Sequence, residues 1–589
     1  MELSLLDISI ITVLMIIYII VGVRSSKRSS NSSKDFFLSG GKMPWWLLGV
    51  SMVATTFSAD TPNLVTDIVR QNGVSGNWAW WAFLLTGMLT VFVYARLWRR
   101  SGIMTDLEFY EIRYSGKSAS FLRGFRAIYL GVFFNIMIMA TVSLAAIKIG
   151  GVILGLEPWV ILAVAGTVTV LYSALGGLRA VILTDFIQFI IAIIGAIWAA
   201  YTVVNLPEIG GLDNLFDHEA VSGKLNLLPD FSDREVLIPM LIIPLAVQWW
   251  SVWYPGSEPG GGGYVAQRML SAKDEDNAMG ATFLFNVAHY ALRPWPWILV
   301  ALASLVVFPD LDSIRTAFPN ISESLIGHDL AYSAMLTYLP SGLIGLIIAS
   351  LASAYMSTIS THLNWGSSYI VNDFYLRFVK PNASQAQQVN MGRISTVILM
   401  ICASFMALYL ESALDAFNIL LQIGAGTGLI FILRWFWWRI NAYTEISGMV
   451  VSFLIAIYFK FIYEGDLAAH WQLVYGVAIT TVVWLLVTLF TQPESPETLK
   501  SFYRLIRPQG MGWNSVRASL ANEIAPSTAA PLSTQILAML TGTIFVYSAL
   551  FSTGFVLYEE YASAGMSIAV TLLSGFILIR LWKRIRSLV

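Results

Sequence analysis

A chain of 589 residues that is 57% hydrophobic and only 12% charged does not read as a string of water-soluble domains; most of it must lie in lipid. With a formal net charge of −1 and its basic residues scattered at segment ends, it has no cationic stripe, so no nucleic-acid partner is expected. The single cysteine, Cys402, lies inside an apolar run, which excludes an intrachain disulfide framework and a cysteine-based metal cluster.

Apolar runs of about 20 residues, enough to cross a hydrocarbon core of roughly 30 Å, recur along the chain. The first, Leu5 to Val23, follows acidic Glu2 and Asp7 and precedes Arg24, Lys27 and Arg28. That polarity is the reverse of a cleavable signal, so it reads as a retained span with its N-terminus outside. Further spans are expected at about 45–70, 75–99, 120–154, 158–176 and 179–205. A second set follows at about 236–256, 276–308, 336–370, 389–410, 414–437, 445–463, 470–491, 534–557 and 564–583, which makes fifteen. Loops assigned inside carry the arginines and lysines, among them Arg96, Arg99, Arg100, Arg113, Arg268, Lys273, Arg434 and Arg439. Those assigned outside, such as 206–235, 309–328 and 464–469, are rich in Asp and Glu, and the C-terminus falls on the cytoplasmic side of a multi-pass cell membrane protein.

The organisation expected is an extra helix and inside linker over 1–44, a first five-helix repeat over 45–205 and an outside loop over 206–235. A second five-helix repeat over 236–437, peripheral helices over 438–491, a polar cytoplasmic loop over 492–532 and two last spans over 533–589 complete it. Each five-helix block begins with an interrupted helix. The first breaks around Asp60, Thr61, Pro62 and Asn63; the second breaks in WWSVWYPGSEPGGGGY, residues 249–264, where two prolines and five glycines cannot sustain a helix. An odd number of spans inverts the second block relative to the first. Paired breaks in inverted halves point to a transport site near the membrane midplane.

A cation site here needs oxygens, and ASAYMSTISTHLN, residues 352–364, supplies them: Ala354, Ser357, Thr358 and Thr361 recur at i, i+3, i+4 and i+7 on one helical face. Small residues at that spacing also serve close helix packing.

Three stretches carry a resemblance to the sodium:solute symporter family over roughly residues 1–465: FFLSGGKMPWWLLGVSMVATTFSAD (36–60), YSALGGLRAVILTDFIQ (172–188), and GYVAQRMLSAKDEDNAMGA (263–281) joined with AYMSTISTHLNWGSSYIVNDFY (354–375). The resemblance implies an all-α integral membrane protein with a core of two inverted five-helix repeats, the leucine-transporter-type fold. It also implies that the protein is no enzyme but a sodium-coupled symporter that imports a small polar solute by alternating access. Carried over residue by residue, the main Na+ site uses the backbone carbonyls of Ala54, Phe57 and Ala354 with the hydroxyls of Ser357 and Thr358. A second Na+ site, present in some members, would use the carboxylate of Asp185 with Ser357, Ser360 and Thr361. An intramembrane carboxylate is in any case a functional candidate.

The substrate region departs from the family's pattern in its longer Gly-rich break and in NVAHYALRPWPW, residues 286–297. Asp60, Thr61 and Asn63 at the first break, Trp249, Trp250 and Trp253 before the second, and Asn135 and Gln422 within cavity-lining helices are substrate candidates. His289 and Arg293, four apart on one face, can both reach one anionic group, or Arg293 can pair with Asp60 or Glu258. The small-molecule substrate is therefore left among sugars, carboxylates and amino acids; membrane lipid is the other partner. A transporter-like solute sensor and a proton-coupled symporter, with Asp185 as the titrating group, are the alternative readings.

Overall fold

The computed structural model describes residues 3–29, 32–252, 258–410, 421, 424, 426–523 and 530–586, and among them the structure is helical, with one isolated bridge between Met43 and Ala272. Among the described residues eleven helices are long and apolar enough to span a membrane. They coincide with eleven of the expected spans, and the other four expected spans take different forms.

The first of these, 45–70, is two half-helices, α2 (Trp45–Thr56) and α3 (Asp60–Asn72), and the break lies at Phe57, Ser58 and Ala59 instead of at Asp60 to Asn63. Pro62 does not break anything, because it stands in the first turn of α3, where its missing N–H has no intrahelical partner to lose. The span expected at 158–176 is the shorter limb, Pro158–Leu171, of one helical run, α6 (Pro158–Val204), whose second limb begins at Gly177. Gly177 has φ 55° and ψ −163°, and a Cβ there would sit 2.7 Å from the Phe36 carbonyl, so both the left-handed backbone and the close approach demand glycine.

The 236–256 span is a chain of short turns, Arg234–Leu237, Ile238–Ile242, Ile243–Ala246 and Gln248–Trp250. Pro239 and Pro244 remove ladder donors there. Beyond it Gly260 and Gly261 hold φ of 90° and 88°, and a helix resumes as α7 (Gly263–Ser271). Of the 414–437 span the structure describes Gly428–Phe436 as helix, and residues 411–420 lie outside the described residues.

Around these pieces the long helices supply the walls: α4 (Val74–Ser101), α5 (Gly116–Leu154), α8 (Glu275–Val307) and α9 (Leu343–Val379). The central one is α9, buried along nearly its whole length and packed on α6. Half-helix α2 lies between α6 and the first part of α8, and α3 packs on the second part of α8. The first helix, Leu5–Ser29, lies outside this core against α6 and α9, with Leu5, Ile8, Val13 and Ile16 exposed for lipid. Its Asp7 accepts the backbone N–H groups of Gly342 and Gly345 at 2.7 and 2.8 Å, so a carboxylate caps the positive end of α9.

In the polar 492–532 segment, Pro496–Ile506 is an amphipathic helix that buries Leu499, Phe502, Tyr503 and Ile506. Phe502 stacks on Trp513 and meets Phe109 and Trp435 edge-on or tilted, so this segment is docked on the core.

Candidate functional site

The C-terminal end of α2 leaves carbonyls without helical partners. Phe57 leaves helical dihedrals (φ −82°, ψ 66°), and its N–H reaches back to the carbonyls of Val53 and Ala54. The hydroxyl face of α9 is laid against this end, with Ala354, Ser357, Thr358 and Thr361 all buried. Thr358 Oγ1 lies 2.7 Å from the Thr55 carbonyl and 3.2 Å from that of Ala354. Sequence reasoning brought together Ala54, Phe57, Ala354, Ser357 and Thr358; the fold places Thr358 at the end of α2 and adds Thr55 as its contact there.

One helical turn away sits a fully buried charged cluster. Asp185, on α6, accepts hydrogen bonds from Ser357 Oγ (2.6 Å to Oδ1) and Ser51 Oγ (2.5 Å to Oδ2), and Arg268 Nη2 lies 3.7 Å from Oδ2. Arg268 donates from Nε to Ser51 Oγ, from Nη1 to Gln267 Oε1, and from Nη2 to Thr361 Oγ1 at 2.8 Å. Thr361 Oγ1 also lies 3.0 Å from Thr55 Oγ1, while the Ser360 hydroxyl donates to the carbonyl of Ser357. Asp185, Ser357 and Thr361 are thus together, with Ser360 turned back on its own helix.

Arg268 is the residue sequence reasoning missed. Counted above among inside-loop cations, it is buried on α7, as Arg113 and Arg434 are buried on their own elements. The signal was its place within the apolar stretch GYVAQRMLS, five residues short of Lys273.

At the first break, His289 Nδ1 lies 3.2 Å from Thr56 Oγ1, Arg293 Nη1 donates to the same hydroxyl at 3.3 Å, and Arg293 Nη2 is 3.4 Å from His289 Nε2. A π-helical turn over Ala288–Leu292 sets this spacing. The Arg293 guanidinium stands 5.2 Å over the Trp297 ring, and its Nε has no partner. Glu258 is not available to it, being engaged by Arg126 and, at 3.3 Å, by Arg434. Among the described residues Asp60 makes no ion pair, and its Oδ1 is buried without a hydrogen-bond partner. Both amide atoms of Asn63 are likewise unmet, and Thr61 Oγ1 reaches the Thr56 carbonyl at 3.4 Å.

A cavity of ≈ 40 Å³ opens beside the break, lined by Thr56, Thr86, Glu258, Asn286, His289 and Tyr290 among others. It has room for water, and a solute needs side chains to move. Asn135 is held elsewhere, bonded to the His362 ring and carbonyl across α5 and α9. Trp249 and Trp250 meet edge to face at 5.4 Å, and Trp249's carbonyl accepts from Thr86. Trp253 and Gln422 lie outside the described residues. Among the described residues no group of three His, Cys, Asp or Glu side chains is placed to hold a metal.

The family model described as the sodium:solute symporter family matches residues 36–452. The chain belongs to the sodium:solute symporter family. It is a membrane transporter that couples a small-molecule solute to sodium, not an enzyme. Among its relatives, the sodium/glucose cotransporter of Vibrio parahaemolyticus is 26% identical over 506 residues, covering 83% of this chain and 91% of that protein. The sodium/sialic acid symporter SiaT of Proteus mirabilis is 26% identical over 456 residues, covering 74% and 86%. A solved structure of a Na+-coupled sialic acid symporter in a substrate-bound, outward-open state superposes with a TM-score of 0.66 at 22% identity, covering 84% of this chain and 99% of that one. That likeness identifies the fold of this symporter, a core of two inverted five-helix repeats.

Proposed function

We propose that the symporter imports one small polar organic solute with one Na+, the ion being held by the carbonyls of Ala54, Phe57 and Ala354 and the hydroxyls of Ser357 and Thr358. The observation that carries this reading is where the two hydroxyl protons go. Ser357 gives its proton to Asp185, and Thr358 points its own at the Thr55 or Ala354 carbonyl. A hydroxyl that has donated presents only lone pairs to its remaining neighbours, which is what a hard cation recognises. Asp185 is then a positioning residue for the ion site. Neutral oxygens let a monovalent ion leave as well as bind.

The second-site arrangement of Asp185, Ser357, Ser360 and Thr361 has a built-in cation already, because Arg268 lies against Asp185 and Thr361. This supports a stoichiometry of one sodium. Na+ from outside orders the end of α2 against α9 and raises solute affinity, and the solute raises sodium affinity by the same factor. The distribution of basic residues supports an N-terminus outside, a C-terminus in the cytoplasm and a ring of surrounding lipid.

The relatives' named solutes, glucose and sialic acid, are small and polar. The test is uptake into proteoliposomes as sodium is titrated. A Hill coefficient near one is expected, with the sodium requirement raised in Ser357→Ala and in Thr358→Ala. Unchanged uptake at low sodium in both variants overturns the site, a coefficient near two restores the second ion, and uptake driven by a pH gradient without sodium gives Asp185 a proton instead.

A further inference from the structure

We infer that the solute is a zwitterion, whose carboxylate is taken by Arg293 and whose cationic nitrogen is taken by Asp60. This rests on the proposed symport of a small polar solute and takes the first break, with its substrate candidates Asp60 and Asn63, as the solute's place. Arg293 is buried, yet among the described residues no carboxylate stands within ion-pair distance of it. Its partners are the Thr56 hydroxyl, the His289 ring and the faces of Trp297 and Phe57, all neutral, and its Nε has none. Asp60, on the facing half-helix, keeps an unpartnered buried Oδ1, and one turn along Asn63 keeps both a donor and an acceptor unmet.

Buried polar atoms are nearly always satisfied, so unmet atoms of both kinds where α3 packs on the second part of α8, beside a carboxylate and a guanidinium that form no ion pair with each other, describe the complement of a missing molecule. A carboxylate accepts from the Arg293 fork and from Asn63 Nδ2. A cationic nitrogen lies against Asp60 Oδ1 and, where it carries N–H groups, donates to that oxygen and to Asn63 Oδ1. The half-helix ends agree: α2 terminates its negative pole and α3 begins its positive pole at the same break. A neutral polyol would leave Arg293 Nε and Asp60 Oδ1 without an ionic partner.

The experiment is sodium-dependent thermal stabilisation of the purified full-length symporter in detergent by unlabelled probes. These are the zwitterionic amino acids and glycine betaine, against glucose, myo-inositol, lactate and choline. Expected is a shift with one or more zwitterions in Na+ and not in K+. Arg293→Gln should raise the half-saturating concentration at least about tenfold, the loss of a charge-assisted bond. Arg293→Lys should recover part of it, and Asp60→Asn should match Arg293→Gln. If no zwitterion gives a sodium-dependent shift, the inference is overturned. If glucose or lactate shifts the protein and Arg293→Gln weakens it, the site stands and the zwitterion falls. Should a probe's binding be indifferent to all three variants, the site reading falls too. Monodispersity of each variant on size exclusion separates lost binding from lost folding.

Discussion

Two arginine and aspartate couples, one fully buried and one with a half-buried aspartate, lie along one broken helix, and they differ in whether they are finished. Asp185 and Arg268 have partners on both carboxylate oxygens and all three guanidinium nitrogens. Asp60 and Arg293 do not meet each other and keep atoms in reserve. A finished couple can only hold the protein together or orient its neighbours. An unfinished one leaves room for something else to complete it, which is the basis for the proposed place of the solute.

The sharpest way to break this contrast is to halve each couple. Arg268→Met or Asp185→Asn alone strands a buried charge and should destabilise the protein by about 3–5 kcal/mol, with much of it recovered in the double variant. Thermal unfolding in detergent reads this directly. Arg293→Gln strands no paired carboxylate, so its unfolding midpoint should fall far less than that of Arg268→Met; an equal fall would make the two couples alike. Next in size is the ion site. Ser357→Ala removes a proposed ligand and the contact to Asp185, and the sodium concentration for half-maximal uptake should rise about tenfold or more. Ser51→Ala, which removes a contact to the other carboxylate oxygen and to Arg268 but none of the proposed ligands, should raise it less.

Smaller still is Thr358→Val against Thr358→Ser: the isosteric loss of the hydroxyl should raise the sodium requirement, and the serine should restore it. The smallest effect is on the exposed cluster of the 309–328 loop, where Arg315 binds Glu323 and Asp312. The hydrogen bond from Arg315 holds the Glu323 carboxyl below its usual range. Whatever stability it adds is therefore present above the ordinary glutamate pKa and lost as pH falls through the depressed value. Solvent screening keeps it small, so Arg315→Ala should leave the unfolding midpoint at neutral pH unchanged.

How much of this was legible depends on the range of the interaction concerned. Hydropathy sees twenty-residue runs, which is why the long spans stand where the sequence puts them. It does not see a three-residue interruption, so Asp60 and Pro62 looked like the break when they open the second half-helix. The face of Ala354, Ser357, Thr358 and Thr361 was readable because helical spacing is local. Arg268 was not, because its counter-ion is on another helix, and an arginine near a helix end looks like an anchor until Asp185 is placed beside it. For the same reason Asn135 read as a cavity residue, whereas the fold joins it to His362.

The neutral cage and the balanced couples also have an electrical consequence. Asp185 with Arg268, and Asp60 with Arg293, each sum to no net charge, and the proposed cage of Ala54, Phe57, Ala354, Ser357 and Thr358 adds none. On a cycle with one sodium and a zwitterion, the empty carrier returns without moving charge through the field. The membrane voltage then acts on the loaded step alone, worth up to about 2.3 kcal/mol for each 100 mV. Hyperpolarisation should speed entry and leave the return of the empty symporter indifferent.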